Sequence, residues 1–79
     1  MTTFEKLRRI IANYLGVEEA EIKLESHLQD DLNSDPLSLA DLVVSIEDEF
    51  KITIPREETM KFNTVEDIVS FVADQIGDV

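Results

Sequence analysis

The stretch DPLSLADLVVSIEDEF, residues 35–50, decides the fold. Pro36 restricts Asp35 to the extended conformation that a helix N-cap needs. Proline is itself favoured at the first helical position, where a missing N–H loses nothing. Leu37, Ala40, Val43 or Val44, and Phe50 then recur on one broad apolar stripe, widened by Leu39, Leu42 and Ile46. The pattern predicts a helix over 36–50. The same region is strongly acidic: residues 30–49 hold seven carboxylates (Asp30, Asp31, Asp35, Asp41, Glu47, Asp48 and Glu49) and no Lys, Arg or His. Like charges four residues apart destabilise a helix. A plain solvated helix face is one reading of such a run; a surface used for docking is the other, and it explains why the repulsion is tolerated.

Working outward, Thr2 and Glu5 have capping-box spacing. Phe4, Leu7, Ile10, Ile11, Tyr14 and Leu15 follow at helical intervals, with Lys6, Arg8, Arg9 and Asn13 on the other face. Gly16 suits a left-handed C-terminal cap. These features predict a first helix over 3–15. Residues 17–34 form a long polar connection whose Val17, Ile22, Leu24, Leu28 and Leu32 read as pegs pinning it across the helices. Loops of this length in a compact domain are often functional. Beyond residue 50, KITIP is a short extended link and Pro55 can start a brief helix near 56–61. Thr64 and Asp67 repeat the capping signature, and Val65, Ile68, Val69, Phe71, Val72 and Ile76 carry a last helix to about 76, closed by Gly77. The expected fold is all-α, with three main helices, one short helix and a long first loop, in a single domain over 1–79.

Composition narrows the function. With 18 Asp/Glu against 7 Lys/Arg, the formal net charge is −11 and the pI is near 4.2. Nucleic acid and anionic membrane surfaces are poor partners for such a chain, because both are bound by clustered Lys and Arg. A basic protein surface is the natural complement. The absence of cysteine excludes a disulfide framework and a thiol nucleophile. His27 is the one histidine, with no base–nucleophile spacing around it, and reads as structural or exposed. No serine has a visible activating partner, so catalytic residues are not expected. Asp31-x-Asn33-x-Asp35 imitates the first half of a calcium loop, but Pro36 replaces the glycine of its sharp turn and Leu42 the bidentate glutamate. No dedicated metal site is expected. With no 18-residue apolar run and no targeting segment visible, the sequence predicts a cytoplasmic or organellar monomer that does not insert into membranes.

The segment DDLNSDPLSLADLVVSIEDEF, set midway along a four-helix chain, resembles the acyl carrier protein family. The likeness extends over nearly the whole chain. It includes the first helix ending in LGV, the EEAEI start of the loop, the approach through Leu28 and Leu32, the EDEF end of the second helix, the ITIP link and the final TVEDIV helix. The resemblance implies a four-helix bundle of the acyl-carrier-protein type, not an enzyme, in fatty acid, polyketide or related lipid biosynthesis. It implies that the second helix and the loop before it dock onto basic patches of acyl-processing enzymes, and that an acyl chain can slide between the helices. Asp35, Asp41, Glu47 and Asp48 are the expected docking residues.

The resemblance also implies a 4′-phosphopantetheine arm on a serine directly after an aspartate, at the start of the second helix. This chain reads Asp35-Pro36-Leu37. Proline has no hydroxyl, so no phosphodiester forms at position 36. Three explanations stand: a non-carrier adaptor or regulatory protein built on the carrier fold, relocation of the arm to a nearby hydroxyl, or a natural or introduced variant of an ordinary carrier. Ser34 and Ser38 are the candidate substitutes. Ser38 is turned by about 200° from position 36 on a helix of 3.6 residues per turn.

Overall fold

The computed structural model describes residues 2–32 and 36–77, with position 36 described by its backbone alone. Four helices follow in order: α1 (Thr3–Leu15), α2 (Pro36–Phe50), α3 (Arg56–Thr59) and α4 (Val65–Ile76). A single 3₁₀ turn, Glu19–Glu21, opens the first connection. Among the described residues there is no strand, only an isolated antiparallel bridge between His27 and Thr64. The expected all-α architecture is therefore the observed one.

Local chemistry accounts for the ends of α1. Thr2 Oγ1 accepts from the Glu5 N–H at 3.1 Å, while Glu5 Oε1 accepts from the Thr2 N–H at 3.1 Å. Two donors that helix geometry leaves orphaned are thus satisfied reciprocally. These hydrogen bonds, the one from the Thr2 backbone above all, hold the Glu5 carboxyl below its ordinary pKa. Gly16 ends the helix at φ 72°, where its N–H reaches the Ala12 carbonyl at 2.9 Å. A residue with a Cβ adopts that conformation only at a cost. α2 ends differently: Lys51, which carries a full side chain, takes the left-handed position at φ 57°.

The start of α4 depends on the rest of the chain. Thr64 Oγ1 accepts from the Asp67 N–H at 3.3 Å, and Asp67 Oδ2 accepts from the N–H groups of Asn63 at 2.8 Å and Thr64 at 3.0 Å. The next two orphan donors are taken by the first connection: the Val65 N–H by the Ser26 carbonyl at 3.0 Å, and the Glu66 N–H by the Leu24 carbonyl at 2.9 Å. In return the Leu28 N–H donates to the Asn63 carbonyl at 2.9 Å. Ser26 is buried because its hydroxyl closes the adjoining turn, accepting from the Lys23 N–H at 3.0 Å.

The core lies between these elements. Leu7 and Ile11 of α1 meet Leu42, Val43 and Ile46 of α2 and Val65, Ile68 and Val72 of α4, with Ile22, Leu28 and Leu32 supplied by the loop. Three expectations need correction. Leu24 is not a peg: its side chain is exposed and its carbonyl does the pinning. Leu37, 74% exposed, and Ala40 do not belong to the buried stripe of α2, and of the alternatives Val43 and Val44 the structure buries Val43 and leaves Val44 53% exposed. The short helix stops at Thr59 instead of 61, because the Lys61 N–H turns back to the Glu58 carbonyl and the Phe62 N–H to the Thr59 carbonyl. The proposed Asp35 N-cap, Asn33 and Ser34 lie outside the described residues.

The Asp67 arrangement has a pH consequence. The Asn63 and Thr64 amides hold its carboxyl below the ordinary value of 3.8. Its stabilisation is therefore complete above the unfolded-state pKa and lost as pH falls through the lower folded-state value. Asp67→Asn should lower stability at neutral pH and leave a shallower loss of stability below about pH 4, where the group's unfolded form titrates. Urea denaturation between pH 7 and pH 2.5 checks this, and parallel pH profiles for the two proteins would refute it.

Candidate functional site: the groove and outer stripe of α2

α2 presents two surfaces to solvent, side by side. The first is a groove of about 570 Å³ between α2 and the segment that follows it. Leu39, Val43 and Val44 form its α2 wall, Ile54 and Phe62 its floor, and Met60 its opposite lip. Phe62 is buried and packs edge-on against Phe71 at 5.9 Å between ring centres. Met60 is 79% exposed, an arrangement in which a large apolar side chain faces water beside an apolar cleft. The size and lining suit an elongated apolar guest, with Glu47, Arg56, Thr59 and Asn63 supplying polar edges.

The second surface runs along the outer side of α2. Leu37, Asp41, Val44 and Asp48 are all exposed and recur at four- and three-residue spacing. That spacing aligns them on one face of a helix. The result is a stripe in which apolar and acidic side chains alternate. Asp41 and Asp48 are exposed, free of the core; Leu37 was assigned to the core and belongs to this stripe instead, as does Val44, which the sequence left as an alternative to Val43. Their hydrophobic character carried no signal that α2 overhangs its neighbours at these points.

Glu47 occupies a third position. It is half-buried at the groove edge, and its Oε2 accepts from the Ile54 N–H at 2.6 Å. Asp35 and Ser34 lie outside the described residues, so nothing brings them to the site. Ser38 is half-buried on α2 and already has an interaction of its own. His27 is exposed; its N–H donates to Asp31 Oδ2 at 2.7 Å, a contact made by its backbone.

The helical bundle agrees with the comparisons to known proteins. The family model described as "Phosphopantetheine attachment site" matches residues 5–72. The chain belongs to the acyl carrier protein family. It is 44% identical over 69 residues to the acyl carrier protein of Clostridium acetobutylicum, covering 87% of this chain and 90% of that protein. To the acyl carrier protein of Helicobacter hepaticus it is 40% identical over 72 residues, covering 91% and 95%. A solved structure of a putative acyl carrier protein from Mycobacterium tuberculosis superposes with a TM-score of 0.88 at 31% identity, over 94% of this chain and 99% of that one.

Members of the acyl carrier protein family are carriers, not enzymes, and they interact with acyl-processing enzymes. The family implies 4′-phosphopantetheine, which supplies a flexible thiol on which acyl groups are held as thioesters. The attachment residue implied by the resemblance does not fit that group here. Pro36 opens α2 and offers no oxygen for a phosphodiester.

The two surfaces of α2 separate in stability. Leu42 is fully buried, so Leu42→Ala should cost about 2–5 kcal/mol. Leu37→Ala should stay within about 0.5 kcal/mol of the parent. Equilibrium urea denaturation reads both; equal costs would return Leu37 to the core.

Proposed function

We propose that this chain is an acyl-carrier-protein-like domain, folded as one unit over residues 1–79, that docks on enzymes of fatty acid, polyketide or related lipid biosynthesis. The outer stripe of α2 is the docking face, and the adjoining groove is where an apolar acyl chain shelters. The observation that supports this reading most is the stripe itself. Leu37 and Val44 expose apolar surface while Asp41 and Asp48 stand between and beyond them without a neighbouring base in residues 36–50. Apolar side chains supply contact area, and carboxylates steer a basic partner and set its register. A monomer in the cytoplasm fits this role. Among the described residues no helix is long and apolar enough to cross a membrane.

Position 36 favours a second reading. With proline in place of a hydroxyl, the chain docks as a non-carrier adaptor or regulatory protein, presenting the family surface without an arm of its own. The two readings share the docking face and differ in whether Ser34 or Ser38 accepts 4′-phosphopantetheine in place of Pro36.

Charge reversal tests the docking face directly. The double substitution Asp41→Lys with Asp48→Lys should slow association with a broad-specificity phosphopantetheinyl transferase, held without coenzyme A, by ~10-fold or more at low salt. The difference should shrink as salt rises and the Debye length falls from about 30 Å at 0.01 M to about 3 Å at 1 M. Surface plasmon resonance across that range reads the rates. Identical association at low salt would remove these carboxylates from the interface.

A further inference from the structure

Glu47 joins two features that otherwise look separate. Its carboxylate accepts the 2.6 Å hydrogen bond from the Ile54 N–H, seven residues along the chain. Its own carbonyl accepts from the Ile52 N–H at 3.2 Å. One residue of α2 thus holds the link that turns the chain toward α3 at two points. The turn itself is made at Lys51, whose left-handed φ of 57° is disfavoured for a residue bearing a Cβ. The Ile52 bond to the Glu47 carbonyl is the one that accompanies a left-handed residue past a helix end, and the Glu47 carboxylate adds a second hold two residues further on.

Those bonds border the groove. The Ile54 side chain is buried and lines the floor, and Glu47 lines the edge. Immediately after Ile54 the chain enters α3, whose Arg56 and Thr59, with Met60 after it, form the opposite side. A carboxylate is a strong acceptor for an amide. It is also the group that a Lys or Arg approaching α2 would pair with. Glu47 is half-buried at the open edge of the groove, beside the exposed Asp48.

We infer that Glu47 is a latch coupling docking on α2 to the width of the α2–α3 groove. While its carboxylate holds the Ile54 N–H, the link is drawn onto α2 and the groove wall stays in place. A cation brought by a docked partner competes for that carboxylate. The amide passes to water, and Ile54 moves outward with α3. A partner shifts this equilibrium only by its differential affinity for the two states. Here the difference is the ion pair gained with the released carboxylate. The coupling rests on the docking reading above; the latch within the free chain does not.

Backbone NMR separates the two parts. In the free chain, Glu47→Ala should raise hydrogen exchange at the Ile54 amide by ~10-fold. Exchange at Ile52, which bonds the Glu47 backbone carbonyl, should stay near the parent value. Glu47→Gln, which keeps an acceptor and loses the charge, should fall between the two. Addition of the transferase without coenzyme A should move the Ile54 amide proton of the parent chain upfield, as a shortened hydrogen bond is lost. Equal exchange at Ile54 in the parent and Glu47→Ala would overturn the latch. Shifts at Asp41 and Asp48 with an unmoved Ile54 proton would overturn the coupling while leaving docking intact. An absence of shifts at Asp41 and Asp48 would overturn the docking reading and the coupling with it, the exchange result still deciding the latch.

Discussion

Three backbone hydrogen bonds clasp the first connection to the start of α4, and the rest of the bundle depends on them. The carbonyls of Leu24 and Ser26 receive the N–H groups of Glu66 and Val65, and the Asn63 carbonyl receives that of Leu28. An α-helix leaves its first N–H groups without partners, and a buried donor left unmade costs about 1–3 kcal/mol. The connection removes that cost for α4. By doing so it is held in the one path that delivers Ile22, Leu28 and Leu32 to the core. A chain of 79 residues has a small core, so three large apolar side chains donated by a loop matter as much as those of a helix. The long connection is thus a structural element without being a helix or a strand, and it brings the chain to the start of α2.

What was legible in the sequence was what local chemistry determines. The capping boxes at Thr2/Glu5 and Thr64/Asp67, the glycine after α1 and the proline opening α2 each act within a few residues, and each marks a boundary found in the structure. Features that rest on distant partners were not legible. A stripe at helical spacing says which side chains share a face and not where the facing neighbour ends, so Leu37 was grouped with Leu42 and Ile46, and Val43 and Val44 stayed alternatives. The Leu24 side chain looked like a peg, whereas its carbonyl makes the contact, and no pattern of side chains reveals that. Glu47 read as one of four docking carboxylates, with no sign of a role inside the fold. Its bond to Ile54 exists only because Lys51 turns the chain back, and a lysine gives no sign of a left-handed turn. The 3₁₀ turn at Glu19–Glu21 has no side-chain cap, and its bonds run from the backbone of Glu21 to Glu18 and of Ile22 to Glu19.

Scaffold and chemistry come apart at the start of α2. Proline at the first position of a helix gives up an N–H that would have had no helical partner and brings a suitable φ. Its cost to the fold is therefore small, and α2 begins at Pro36 with its core residues Leu42, Val43 and Ile46 in place. The same residue has no hydroxyl at the position where the resemblance implies the arm. A function grafted onto a scaffold can be lost at one position while the surfaces that recognise partners persist. On the proposed reading, the exposed stripe and the groove are those surfaces. They depend on the packing of α2 and on the link beyond it, neither of which requires an oxygen at position 36.

The most direct measurement is intact mass after incubation with coenzyme A and a broad-specificity phosphopantetheinyl transferase, made on the parent chain and on Pro36→Ser. The account predicts no increment at position 36 of the parent, where an increment at Ser34 or Ser38 selects the carrier reading and none selects the adaptor, and one increment mapped to position 36 for Pro36→Ser. An unmodified Pro36→Ser would contradict it.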